Sequence, residues 1–125
     1  MLAELECVVL DCPDPRRLAA FYQRILGGIV NERDPRWAVG DGWATLHSSG
    51  LLVLAFQRVA DYKPPQWPDP ARPQQFHLDF GVADLDQAQE QVLTWGATLL
   101  DRGGGRRGWR VYADPAGHPF CLVRR

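Results

Sequence analysis

The chain has no excess of either charge, too few cysteines for a disulfide framework, and no apolar run long enough to cross a membrane. Its 125 residues carry 14 basic and 15 acidic side chains, a formal net charge of -1. That balance argues against a general nucleic-acid binder, which needs a basic face. Three cysteines cannot staple a domain of this length. The opening MLAELECVVL puts acidic groups where a secretory signal needs basic ones, and its apolar run is short. No stretch approaches the roughly 20 apolar residues of a membrane helix. The expectation is a cytoplasmic protein with reduced thiols, binding neither nucleic acid nor membrane. The basic residues gather late, at Arg102, Arg106, Arg107, Arg110, Arg124 and Arg125. They read as a solvated hairpin edge and tail, with an anion-binding rim as the lesser alternative.

What the chain does have is a hydrophobic fraction of 46%, enough for one core without staples. ELECVVLDC reads as a short buried strand ended by Pro13. Asp14 then caps a helix whose first turn holds Pro15. Leu18, Phe21, Tyr22, Ile25 and Leu26 give that helix an apolar face, and Gly27-Gly28 stops it. Strand candidates GIVNER, WATLHSS and LLVLAFQRV follow, with Gly40-Asp41-Gly42 as a hairpin signal.

The segment ADYKPPQWPDPARPQQ holds Pro64, Pro65, Pro68, Pro70 and Pro73, which exclude helix and central strand. It reads as a stiff, extended linker over 60–75. Beyond it the pattern restarts. QFHLDFGVA alternates Phe76, Leu78, Phe80 and Val82 against His77 and Asp79. Asp84 caps a second helix, Gln87 stands at the capping-box position, and Leu85, Ala88, Val92 and Trp95 form the inner face. Gly96 ends it, and ATLLDR, GWRVYA and HPFCLVRR complete the half.

The chain is thus a strand–helix–strand–strand–strand unit used twice. Asp14 answers to Asp84, Gly27 to Gly96, and Cys7 to His77, each of the last two standing seven residues before its capping Asp. The fold class is α+β: two βαβββ modules, 1–59 and 76–125, within one domain of 1–125. Neither half buries both faces of its sheet alone, so mixed sheets curving around a shared cleft are expected, with helices outside.

In VVLDCPDPRRLAAFYQRILGG, FHLDFGVADLDQAQEQVLTWGA and WRVYADPAGHPFCLV, taken in that order, the chain resembles the vicinal oxygen chelate superfamily. This is the glyoxalase, bleomycin-resistance and extradiol-dioxygenase group, and the resemblance is greatest to its small glyoxalase-like bacterial subgroup. The resemblance implies a homodimer with a small-molecule ligand. In metal-dependent members, His or Glu at four cleft-facing positions holds the ion. The positions it matches here are Cys7, Gln57, His77 and Cys121, of which only His77 keeps a family ligand type. Gln57 takes no proton, so carboxylate-assisted isomerisation is not expected, and a two-His-one-carboxylate iron set is absent.

Strand alternation sets His77, Cys121 and Gln57 opposite their large apolar neighbours, while the placing of Cys7 rests on the resemblance. Cys12 has the other parity and belongs under the helix. Two thiolates and an imidazole, with Gln57 or water in fourth place, would suit zinc. The competing reading is a pocket floor of neutral thiols beside a hydrogen-bonded His. His77 and Cys121 are also candidates for catalysis, as a base and the nucleophile it activates.

Five tryptophans are many for this length. Trp43, Thr45 and His47 alternate toward the cleft, Trp109 occupies the corresponding strand, and Trp67 lies in the proline-rich segment. Trp37 is assigned to the pocket or a subunit contact, and Trp95 to the core. With Gln57, His77, Asp79 and Cys121 these outline a site for a flat, mostly apolar ligand. His118 serves its turn, and Gly103-Gly104-Gly105 lacks the helix and Lys-Ser/Thr of a phosphate loop. The functional expectation is a small-molecule binding protein without the usual metal catalysis. The alternatives are a divergent zinc lyase or isomerase using Cys7, His77 and Cys121, an antibiotic-sequestering resistance protein, and an assembly subunit.

Overall fold

The computed structural model describes residues 1–35, 40–49 and 53–125. Trp37 and the start of LLVLAFQRV lie outside the described residues. Two compact units make up the chain, Met1–Tyr62 and Lys63–Arg125.

The first unit contains β1 (Cys7–Cys12), α1 (Pro15–Leu26), β2 (Ile29–Val30), β3 (Trp43–His47) and β4 (Val53–Arg58). The second contains β5 (Leu78–Val82), α2 (Leu85–Thr94), β6 (Thr98–Asp101), β7 (Trp109–Ala113) and β8 (Pro119–Arg124). The sheets run β1-β4-β3-β2 and β5-β8-β7-β6, the same order in each repeat. In both, the first and last strands pair parallel and the others antiparallel. Each unit is thus an open, mixed four-stranded sheet with one helix, as the doubled pattern predicts.

Both helices start on capping aspartates. The Asp14 carboxylate accepts from the Arg17 N–H, and Asp84 from the Gln87 N–H. Each satisfies one of the donors a helix start leaves unpaired. Helix α1 lays Leu18, Phe21 and Tyr22 on its sheet, where Tyr22 stacks on Phe56 with ring centroids 5.9 Å apart. In the second unit Phe120 is the hub, stacked on Tyr112 at 5.5 Å and edge-on to Phe80 at 5.9 Å. Cys12 is fully buried on the core side, as its parity predicts. Trp95 is half-buried at the end of α2.

A polar bridge also joins α2 to its sheet. Tyr112 Oη and Arg110 Nη1 both donate to Gln89 Oε1, and Arg110 Nη2 donates to Asp86 Oδ1 at 2.7 Å. The Arg110 hydrogen bond and charge hold the Asp86 carboxyl below its usual range. Because that value is depressed, the stabilisation it reports is complete above the ordinary carboxylate range and is lost as pH falls through the folded-state value. Two outcomes are expected in urea unfolding curves. Gln89→Leu strands the buried Tyr112 hydroxyl end of this bridge and lowers stability by about 1–3 kcal/mol at neutral pH. Arg110→Met flattens the loss of stability seen below about pH 4.

Candidate functional site

Strand alternation puts one face of the second sheet against α2 and leaves the other for chemistry. Phe80, Tyr112, Phe120 and Leu122 take the helix side. Asp79, Trp109, Val111, Pro119, Cys121 and Val123 take the opposite side. The register brings the latter together, pairing Cys121 with Asp79 on β5 and with Val111 on β7, and Trp109 with Val123. A cavity of about 370 Å³ opens over this face. Trp67 and Trp109 wall it, with Val111, Pro119 and Val123 as apolar lining, and Gln74, His77, Asp79 and Cys121 bring its polar atoms.

Two local devices hold the tryptophans. The proline-rich stretch is a closed turn rather than an extended strap. Gln66 N–H donates to the Arg72 carbonyl, Asp69 N–H to that of Gln66, and Ala71 N–H to the Asp69 carboxylate. This turn carries Trp67. It is anchored where Pro64 meets Gly117, whose φ is +91° and whose missing Cβ would lie 2.6 Å from the Pro64 Cβ. A side chain at 117 has neither the conformation nor the space. The Asp114 carboxylate builds that turn by accepting from the Ala116 and His118 N–H groups. Trp109 is held by Arg107, whose guanidinium lies 3.7 Å above the indole and donates to the Trp109 carbonyl and the Asp101 carboxylate. The glycine-rich hairpin tip makes this approach geometrically open, since a Cβ on Gly103 would collide with Arg107.

The cavity's chemistry centres on His77, Asp79 and Cys121. His77 Nε2 lies 3.3 Å from Asp79 Oδ1, and the ligand atoms of all three lie within 4.8 Å of one another. Cys121 is 7% exposed. Burial first, then the adjacent Asp79 charge and hydrogen bond, push its thiol up to about 11. It is a neutral thiol at physiological pH, which does not suit the nucleophilic role.

Of the residues expected from sequence, Trp67, His77, Asp79, Trp109 and Cys121 meet here. Cys7, Trp43, Thr45, His47 and Gln57 belong to the first unit, where Trp43, Thr45, Ala55 and Gln57 share a face by register. Thr45 is buried, and His47 Nε2 lies 3.5 Å from Asp34 Oδ2. The repeat also has its own correspondence. Val9 and Asp79 each stand five residues before a capping Asp, and they pair with Ala55 and Cys121. Ala55, rather than Gln57, is therefore the internal counterpart of Cys121. Asp79, expected only as a ligand contact, joins the potential metal donors. Gln74 was not singled out from sequence, and nothing in a polar residue after a proline would have marked it.

The sequence matches the family described as Glyoxalase-like domain over residues 7–123. The chain belongs to the glyoxalase-like domain family. Its fold is shared with a glyoxalase/bleomycin resistance protein/dioxygenase family enzyme from Burkholderia phytofirmans PsJN, 21% identical over 98% of both chains with a TM-score of 0.69. It is likewise similar to the fosfomycin resistance protein FosX from Listeria monocytogenes, 15% identical over 100% of this chain and 95% of that one, TM-score 0.69. A mutant of that FosX was solved with Mn(II) and 1S,2S-dihydroxypropylphosphonic acid, and it matches at 16% identity over 98% of this chain and 90% of that one, TM-score 0.67. No curated protein sequence matches the chain. Among the described residues, no helix of this glyoxalase-like protein is long and apolar enough to cross a membrane.

The raised thiol value is directly testable. At pH 8, iodoacetamide is expected to modify Cys121 on the order of a hundredfold more slowly than a thiol of ordinary pKa. Asp79→Asn is expected to speed the reaction. Peptide mass mapping reads both rates, and labelling of Cys121 as fast as a free thiol contradicts the assignment.

Proposed function

We propose that this glyoxalase-like protein binds a small, flat, largely apolar molecule on the exposed sheet face of its second unit. The observation that carries this reading is the cavity of about 370 Å³ walled by Trp67 and Trp109. That volume falls in the range of small-molecule sites, and such sites combine apolar walls with a few placed polar groups. Rigid indoles offer large contact area at little entropic cost. The expected setting is cytoplasmic, on the composition and cysteine usage, and the expected assembly a homodimer, on the family resemblance.

A second reading is favoured by the grouping of His77, Asp79 and Cys121. Imidazole, carboxylate and thiol are all zinc donors, and three protein ligands leave a fourth position open, so the residues fit the ion. Bound there, zinc would act as a Lewis acid on a substrate oxygen. His77 would donate a ring nitrogen, Asp79 an oxygen, and Cys121 its sulfur after losing the proton that burial favours. The FosX structure with Mn(II) supports metal use on this fold, not the choice of metal here. Sequestration of an anionic antibiotic is less favoured. A phosphonic acid such as the one in that complex would meet the Asp79 carboxylate unless an ion intervened.

Two measurements separate the readings. Titration with neutral aromatic fragments such as indole and benzamide is expected to give saturable shifts at the Trp67 and Trp109 indole N–H signals without added metal. Trp67→Ala is expected to weaken that binding roughly two- to tenfold, the worth of one aromatic contact. Native mass spectrometry of reduced, zinc-loaded protein decides the alternative. One zinc per chain, lost in His77→Ala, supports it, whereas no stoichiometric zinc excludes it.

A further inference from the structure

Beside the donors of His77 and Cys121, two of the cavity's polar groups are acceptors that a ligand could use. Gln74 Oε1 is buried and has no hydrogen-bond partner. Gln74 is among the lining residues, and an unanswered buried acceptor calls for a donor. The Asp79 carboxylate is a second acceptor. Its side chain is 58% exposed, so it stays approachable beside His77. The Cys121 thiol already donates to Asp79.

Among the described residues no Lys or Arg lines the cavity, and its charged groups are the Asp79 carboxylate and the His77 imidazole beside it when protonated. Four arginines come near, and one of them, Arg125, lies across Gly81 on the Asp79 face of β5. Arg107 sits on Trp109 but is paired with Asp101. Arg110 is turned to Asp86 and Gln89 on α2. Arg124 alternates with Val123, which lines the cavity, and so has the opposite parity. The walls add two indoles, whose ring faces attract cations, one face of Trp109 already carrying Arg107.

We propose that the occupant is a flat organic cation bearing N–H groups, an amidinium, a guanidinium or a protonated aromatic amine. It lies against Trp67 and Trp109 and donates to Gln74 Oε1 and the Asp79 carboxylate. This rests on the cavity being a small-molecule site, and it adds the charge and donor character of the ligand. Neither the two-tryptophan wall nor the buried acceptor predicts that character alone. Together with a carboxylate and no Lys or Arg among the described lining residues, they favour a cation over an anion and disfavour a pure hydrocarbon.

Benzamidinium, benzamide and benzoate have nearly one shape and carry charges of +1, 0 and -1. They are titrated into chelator-treated protein at low salt, where surface charge is least screened, and followed by calorimetry and indole N–H shifts. Benzamidinium is expected to bind at least tenfold more tightly than benzoate and severalfold more tightly than benzamide. Asp79→Asn, at an exposed position, is expected to erase most of the advantage over benzamide. Gln74→Leu is expected to weaken both amide-type ligands about fivefold, one hydrogen bond's worth. Unfolding curves confirm that each variant is folded. Benzoate binding as tightly as benzamidinium, or a cation preference that survives Asp79→Asn, overturns the proposal and leaves the binding pocket standing. Failure of all three to move the Trp67 and Trp109 signals overturns both.

Discussion

The parallel pairing of the first and last strand within each unit is the constraint on which everything else depends. Strands β5 and β8 are far apart in sequence, separated by a helix and two strands, and they meet only because α2 and its hairpin carry the chain back across the sheet. Their register fixes Asp79 beside Cys121. That register is in turn set from the opposite face, where Phe80, Phe120 and Tyr112 interlock. A slip of one residue would turn Phe80 toward the cavity and Asp79 toward the core, at a cost no local contact could offset. The chemistry of one face is therefore determined by aromatic packing on the other.

Duplication gives the two units one topology, and divergence gives them different surfaces. At matched register the first unit pairs Val9 with Ala55 where the second pairs Asp79 with Cys121. The core positions differ less, since a Phe on the last strand stacks on a Tyr in each unit: Phe56 on Tyr22 of α1, and Phe120 on Tyr112 of β7. Packing keeps such positions large and apolar in both copies, because a loss there costs several kcal/mol, roughly 3–5 for a buried Phe cut to Ala. The opposite face is under no such restraint and is free to vary.

Much of the fold was legible because its signals are local. The capping aspartates, the apolar stripe of α1 and the Asp114–Gly117 turn each declare themselves within a few residues. Alternation also told which face His77, Asp79 and Cys121 share. It could not tell which residues are neighbours across strands, because that depends on register between distant segments. Hence the pairing of Asp79 with Cys121, and of Val9 with Ala55 at the same register of the first unit, appears only in the sheets. The prolines of 64–73 correctly exclude helix and strand. What they cannot show is that Asp69 closes a turn, or that Pro64 seats on Gly117 and so brings Trp67 to the cavity. The glycine run read as a slack hairpin tip, and its use in letting Arg107 reach Trp109 is visible only in three dimensions.

In the sequence, the resemblance sets Cys121 at a position that takes His or Glu in metal-dependent members, so no carboxylate is expected there. The structure returns one from the neighbouring strand. Asp79 is shorter than Glu, but it starts one strand over, and its oxygens come within reach of both the Cys121 sulfur and the His77 ring. The negative charge is thus kept while its covalent origin moves. That relocation changes what the site can hold. A Glu at 121 would leave an acceptor on the last strand, whereas the Cys there is a neutral donor that occupies part of the Asp79 carboxylate. A metal must displace that proton, while an organic cation need only use the remaining oxygen lone pairs and the Gln74 acceptor. Both answer the same carboxylate, and the organic cation does so without ionising a buried thiol.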